Sequence, residues 1–381
     1  MSQTTRREDS TSKTASLHLS FDLGWTEWKL AFAAELGQKA RLRTIAAGDL
    51  AALDQEISRA KVRFGLAESA PVVSCYEAGR DGFWLHRRLC AQGVESSVVD
   101  SSSLEVNRRA RRAKTDRLDA QKLVAQLLRF THGEKVWSVV RVPTVEQEDR
   151  RQLPRELEQL KHERTSHCNR IKGLLASQGV RLEVRRRDFL ERLEKAVLWD
   201  GQALPAGLKQ RLLREHERFE GVERQIRDLE QLRQRQLEES ADDPTLAKMR
   251  QLMALKAIGA NSASVFVSEF FGWREFRNRR EVGALAGLAP MPYQSGDSLD
   301  RSSGISGGNG RLRAMAIEIA WAWLRFQPRS RLSLWFQQRY GPGSRRSRRV
   351  GIVAMARRLL IELWRYLQTG ALPDGAELKA T

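Results

Sequence analysis

Between Leu17 and Asp100 the chain switches repeatedly between the two periods that separate strands from helices, and this succession constrains the fold more than any other feature. Leu17-His18-Leu19-Ser20-Phe21-Asp22-Leu23-Gly24 alternates apolar and polar residues, the pattern of a half-buried strand. Trp28 to Phe32 and Leu42 to Ile45 read as two further strands, which makes an antiparallel meander. Asp49 to Gly65 carries Leu50, Leu53, Ile57 and Phe64 at helical spacing. Val72 to Glu77 is a short apolar run ending in a carboxylate; a helix from Gly82 to Gln92 and a strand from Val94 to Asp100 follow. Three strands and then helix, strand, helix, strand, helix predict a mixed α/β sheet. From Thr144 onwards only helical patterns remain, so the fold class is α/β followed by all-α.

Four acidic residues hold marked places in that succession. Asp22 ends the first strand and Glu77 ends the fourth. Asp116 and Asp119 open a helix whose apolar stripe continues through Leu123, Leu127 and Leu128. Positions i and i+3 share a helix face, so these two carboxylates point the same way. Carboxylates at strand ends and at a nearby helix start can converge although they are far apart in sequence. Such an all-oxygen set suits Mg²⁺ or Mn²⁺, and ions so held can assist phosphodiester cleavage. The plainer alternatives are an acidic turn that suits the helix dipole and ordinary polar strand ends. Arg108, Arg109, Arg111, Arg112 and Lys114 crowd the segment just before the helix, as expected where something anionic is brought to the carboxylates.

Composition narrows the partner. The chain has 381 residues, with 66 Lys and Arg against 47 Asp and Glu, for a net charge of +19. A chain this long is expected to form two or three domains with real cores. Both signs are plentiful, so this is a folded basic protein rather than a polybasic tail, and nucleic acid is the first expectation. No stretch approaches the about 20 apolar residues that span a bilayer. Residues 1–15 are polar and read as a disordered leader without the apolar core of a signal peptide. Cys75, Cys90 and Cys168 form neither a CxxC motif nor an even framework, which fits a reducing cytoplasm. The six histidines lack zinc spacing.

The second half is helical. Thr144 and Gln147 match a capping box. Leu153, Leu157, Leu160, Ile171 and Leu174 define one long helix, which Pro154 either kinks or restarts. Leu208, Leu212, Phe219, Val222, Ile226 and Leu229 define another, with Glu183 to Leu198 a charged helical connector between them. The pair reads as a coiled-coil hairpin or dimer arm. Leu255 to Ala263 is a glycine turn between helices, either a phosphate contact or a plain turn. Leu285 to Asp297 and Gly304 to Arg313 form a Gly/Ser-rich stretch with apolar helices at both ends, closing in Asn309-Gly310-Arg311-Leu312-Arg313. Serine in such a loop can attack phosphorus if metal or a base activates it. Ser344 to Arg349 is a basic cluster ahead of a helix, read as a contact to backbone phosphates. Trp321, Trp323, Trp335 and Trp364 lie among aliphatic residues and read as core.

Phe21-Asp22-Leu23-Gly24, Cys75-Tyr76-Glu77-Ala78-Gly79, Lys114-Thr115-Asp116-Arg117-Leu118-Asp119-Ala120 and the serine block together resemble the DEDD transposases of bacterial insertion sequences, the insertion sequence 110 family, over about residues 17 to 330. The resemblance implies a RuvC-like, ribonuclease-H-type nuclease domain over 16–143, a helical coiled-coil arm over 144–243 used for assembly and RNA contact, and a C-terminal transposase domain over 244–381 with a helix-hairpin-helix-like turn. In that turn Lys256 and Ala257 stand where the family has Pro and Gly. It implies that Asp22, Glu77, Asp116 and Asp119 hold Mg²⁺ or Mn²⁺ and that Ser295, the serine before a glycine, is the nucleophile forming a phosphoserine link. It also implies donor and target DNA as substrates and a structured bridge RNA as guide. The expected partners are completed by a homo-oligomer (dimer or tetramer) formed through the arm, with phosphates held by the arginines of 108–112 and by Arg311 and Arg313. The expected location is the bacterial cytoplasm, on the nucleoid when DNA is bound. Two rival readings fit the same residues: a metal-only junction resolvase or nuclease in which Ser295 is structural, and a non-catalytic nucleic-acid-binding protein.

Overall fold

The computed structural model describes residues 15–104, 116–240, 242–289 and 308–380, with backbone alone at 102 and 116–118. Residues 1–14 of the expected leader, Arg108, Arg109, Arg111, Arg112, Lys114 and Ser295 lie outside the described residues. The chain divides into two compact units, Met1–Val142 and Pro143–Thr381.

The first unit is a five-stranded mixed sheet with helices on both faces. Its elements are β1 (Leu17–Leu23), β2 (Glu27–Ala33), β3 (Arg41–Ala46), α1 (Leu50–Arg63), β4 (Val72–Glu77), α2 (Trp84–Ala91), β5 (Glu95–Val99) and α3 (Asp116–Thr131). The strand order is β3-β2-β1-β4-β5. β1, β2 and β3 form the antiparallel meander, while β4 and β5 join β1 in parallel. Asp49 caps α1 by accepting from the Ala52 amide at 2.9 Å.

β1 departs from the half-buried strand its alternation predicts. Leu17, Leu19 and Phe21 pack into the main core with Leu53, Leu85 and Leu89 of α1 and α2. His18 and Ser20, on the other face, are also buried, at 4% and 0% exposure. The polar face is covered because α3 lies on it and the polar groups find partners there. Ser20 Oγ donates to the Ala120 carbonyl at 2.7 Å, and His18 Nε2 is hydrogen-bonded to Thr131 Oγ1 at 3.1 Å. Burial lowers the His18 pKa, so the ring is neutral at pH 7.

The second unit is all helix. α4 (Val145–Asp149) opens on the expected capping box, with Thr144 and Gln147 bonded reciprocally at 3.0 and 3.2 Å. Pro154 falls in the first turn of α5 (Gln152–Ala176), where its missing N–H has no intrahelical acceptor to lose. The chain therefore restarts there rather than kinking. α5 runs antiparallel to α7 (Ala206–Glu239), as the pairs Lys161–Glu230, Arg164–Glu223 and Arg170–Glu215 show. Leu157, Leu160, Val222 and Ile226 fill the seam. The connector from Glu183 to Leu198 is helical only at α6 (Phe189–Glu194). The rest wraps the end of the hairpin, where Val184, Phe189 and Leu193 meet Ile171, Leu175 and Leu212.

Beyond the hairpin come α8 (Pro244–Met253), α9 (Ala260–Phe266) running into a π-turn (Val267–Phe271), α10 (Arg279–Leu285), α11 (Gly310–Phe326), α12 (Arg331–Tyr340) and α13 (Arg345–Thr369). α13 is central to this core: Ile352, Met355, Ala356, Leu359, Leu360 and Leu363 are all buried. Trp323 is fully buried and donates its indole N–H to Ser330 Oγ at 2.9 Å. Trp321 breaks the core expectation; it is 41% exposed on the outer face of α11. Ala257 has φ of +78°, the left-handed conformation that glycine tolerates best, at the turn between α8 and α9.

Candidate active site

The sheet register decides where the first two acids lie. β1 and β4 are parallel, with Leu17 beside Val72, Ser20 beside Cys75 and Phe21 beside Tyr76. One further step sets Asp22 beside Glu77 at the carboxyl ends of two adjacent central strands. Register partners in neighbouring strands share a face. Asp22 is therefore on the Ser20 face and Glu77 on the Cys75 face, and these are one face of the sheet.

α3 covers that face. Ala120, Val124 and Leu128 pack on Ala31 and Ala33 of β2, and Leu123 and Leu127 pack on Val73 and Cys75 of β4. Its direction follows from the two hydrogen bonds already described. Thr131, the last residue of α3, meets His18 near the start of β1, while Ala120 meets Ser20 further along. The amino terminus of α3 therefore points toward the end of the sheet that carries Asp22 and Glu77. Asp119 heads the ridge that continues through Leu123 and Leu127, on the β4 flank, the flank of Glu77. The small residues Ala31, Ala33 and Ala120 allow the helix to approach closely.

Asp22 is half-buried, Glu77 exposed and Asp119 half-buried, with Lys122 Nζ 3.8 Å from Asp119 Oδ1. Cys75, two residues before Glu77, is no competing nucleophile: burial, and then the Glu77 charge, push its thiol well above the ordinary range. The donors are all carboxylate oxygens, which matches a hard divalent ion. Among the described residues, no three His, Cys, Asp or Glu side chains stand close enough to hold one ion. The Asp116 side chain is outside that set.

Lys29 is a neighbour that sequence reasoning missed. It pairs in register with Asp22 on β2 and holds Glu27 at 2.7 Å. The signal was available: Lys29 lies on the polar phase of an alternating strand.

The Ser20 hydroxyl ties the carboxylate end of β1 to α3. Ser20→Ala should cost about 1 kcal/mol, the net worth of one buried hydrogen bond. It leaves the Ala120 carbonyl with one partner fewer just beyond Asp119. Thermal unfolding checks this, and we expect a small loss of stability.

In the second unit the ends of the serine loop meet. Gly308 has φ of +69°, and a Cβ there would lie 2.4 Å from the Gly287 amide nitrogen. Asn309 donates its amide to the Leu285 carbonyl at 3.3 Å. Its side chain caps α11, accepting from the Arg311 and Leu312 amides at 3.0 and 3.1 Å. The Asn309 Nδ2 donates to Glu269 Oε2 at 3.1 Å. Arg311 pairs with Glu158 at 2.6 Å and lies 3.7 Å from Glu269, so its charge is met by internal acids. Arg313 reaches the Gly287 carbonyl at 3.5 Å. Glu269 was also missed; its signal was a lone acid in the apolar run Val265 to Phe271.

The family model for the "Transposase IS116/IS110/IS902 family" matches residues 249–334, the stretch holding α9 to α11 and the serine loop. The "Putative transposase y4rJ" of Sinorhizobium fredii is 42% identical over 380 residues, covering 96% of this chain and 95% of that protein. The chain belongs to the IS116/IS110/IS902 transposase family. More distant relatives agree: the "Probable family 20 transposase" of Pseudomonas aeruginosa is 26% identical over 82% of this chain and 89% of its own length. The "Putative transposase y4qE" of Sinorhizobium fredii is 28% identical over 74% of this chain and 66% of its own length. As a transposase, the chain is an enzyme of DNA strand cleavage and rejoining. No helix among its described residues is long and apolar enough to cross a membrane.

Proposed function

We propose that this transposase moves its element by cutting and rejoining DNA with a RuvC-like metal site and a serine nucleophile. Asp22, Glu77, Asp116 and Asp119 hold Mg²⁺ (or Mn²⁺), and Ser295 attacks the scissile phosphorus. The ion, when bound, neutralises phosphate charge and lowers the pKa of the attacking oxygen. Ser295 Oγ forms the new O–P bond, the bond to the leaving sugar oxygen breaks, and the serine proton passes to solvent or a base. A second attack by a DNA hydroxyl on the phosphoserine releases the enzyme and rejoins the strands. A structured bridge RNA pairs with donor and target DNA, leaving the protein to grip shape and backbone. Two or four copies assemble through the α5–α7 hairpin.

The observation that carries this reading is the register that sets Asp22 beside Glu77 on the face covered by α3, whose first turn supplies the other two acids. Trapping the protein on donor and target DNA with Mg²⁺ and the co-purifying RNA tests it. We expect a nucleotide-bearing peptide that contains Ser295. Cleavage with no covalent adduct would favour the metal-only nuclease, and an adduct on another residue would remove Ser295 from its role.

A further inference from the structure

α10, α12 and α13 wall a cleft of about 1190 Å³ in the second unit. Its lining is strongly cationic. Arg365 is paired with Glu362 at 2.9 Å and Arg331 with Asp374 at 3.6 Å. Six other arginines line it: Arg279, Arg280, Arg346, Arg349, Arg357 and Arg358. None of the six has a carboxylate within ion-pairing distance among the described residues.

Two features show that this concentration of charge is built into the fold. The first five residues of α13 include Arg345, Arg346, Arg348 and Arg349 and no acid, although cations are unfavourable at the positive end of a helix. Arg357 lies against α10 at Gly283, where a Cβ would come within 2.5 Å of its Nε. That Nε is buried with no hydrogen-bond partner. The absence of a side chain at Gly283 makes room for this guanidinium, whose Nε is left without a protein partner.

We propose that this cleft grips the sugar-phosphate backbone of duplex DNA. Every cation is an arginine, whose planar fork matches phosphate oxygens in pairs. Two tryptophans line the cleft: Trp323 is fully buried, and Trp335 is covered by the Arg358 guanidinium at 3.9 Å. Neither offers an open face for unstacked bases, which is the usual mark of single-strand binding. Contacts of this kind fix position without reading sequence. The choice of DNA over another polyanion rests on the transposase reading; the grip itself does not involve the metal site.

The test is binding of the full-length protein to a labelled 30-base-pair duplex and to an RNA hairpin of equal length, in EDTA, over a range of salt. Without divalent ion, failure of the cleavage chemistry does not affect the result. Arg346→Ala with Arg349→Ala should weaken duplex binding at least about tenfold near physiological salt and lower the salt slope by about 1.8, two phosphates at about 0.9 each. Arg331→Ala with Arg365→Ala removes the same charge from the same cleft, but from residues already paired, and should change the slope by less than half as much. Both pairs are exposed, so melting temperatures should hold; Arg279→Ala with Arg280→Ala on the opposite wall provides a second reading. Equal effects from the two charge-matched pairs would reduce the cleft to bulk electrostatics, and a loss confined to the RNA hairpin would overturn the DNA assignment.

Discussion

Asp22→Asn should lower DNA strand cleavage by about a thousandfold or more while leaving the melting temperature within a degree or two. The substitution keeps shape and hydrogen-bonding reach but removes one negative charge from the proposed metal site. Metal stabilisation of a transferring phosphoryl group is worth several kcal/mol, and about 4 kcal/mol is about three orders of magnitude in rate. The fold should tolerate the change because Asp22 is half-buried at the end of β1, past the buried run Leu17 to Phe21. Glu77→Gln, one strand over, should behave alike, since its carboxylate is exposed at the end of β4. Gel-based cleavage assays at saturating Mg²⁺, with unfolding followed in parallel, decide the matter. A variant that cleaves within about threefold of the parent would remove Asp22 from the ion's ligands, because loss of a charged ligand cannot be that mild.

Glu269→Ala should destabilise the second unit by about 3 kcal/mol. The carboxylate is 3% exposed and is gripped by Arg155 through two bonds, at 2.7 and 3.0 Å, and by Asn309 at 3.1 Å. Removing one member of a buried ion pair typically costs about 3–5 kcal/mol because the other charge is left uncompensated. Here the lower end applies, since Arg155 is 43% exposed and can turn to water. For a unit of this size the shift in melting temperature is about 6–12 °C. The pH dependence has a definite sign. Desolvation raises the Glu269 pKa, but Arg155, Asn309 and Arg151 outweigh it, and the folded value lies below the ordinary one. Its stabilisation is therefore full above about pH 4.3, the unfolded value, and is lost as pH falls through the lower, folded value. The gap between parent and Glu269→Ala should narrow over that acid range. A gap constant from neutrality down to strong acid would mean that the loss comes from packing rather than charge. Glu269 also matters for function, because Asn309 ends the serine loop: the same substitution should loosen the start of α11.

Much of the sheet unit was legible because its information is local. A strand announces itself by period two and a helix by apolar spacing, so β1, β4 and α1 could be placed from residue order alone. The capping box at Thr144 and Gln147 is likewise a short-range device, complete within four residues. The hairpin followed from the apolar spacing of α5 and α7. The Glu183 to Leu198 connector has the charged, helically spaced composition of a helix, yet most of it is fixed by packing on the hairpin end rather than by backbone hydrogen bonding. The apolar neighbours of Trp321 predict a core position, and sequence alone does not show that its face of α11 turns outward.

What the order of residues determined by itself is the mixed sheet, the helical second half, the strongly basic character and the identities of the acids that end β1 and β4. Those are properties of short stretches, governed by backbone periodicity and charge. The tertiary structure decided that β4 lies parallel to β1 in the register that sets Asp22 beside Glu77. It decided that α3 crosses the polar face of β1 with its first turn toward those acids, and that Glu269 and the arginines of the second-unit cleft gather residues from separate helices. Such juxtapositions join positions up to about a hundred residues apart, and they are set by which buried surfaces fit together, a quantity no local pattern contains.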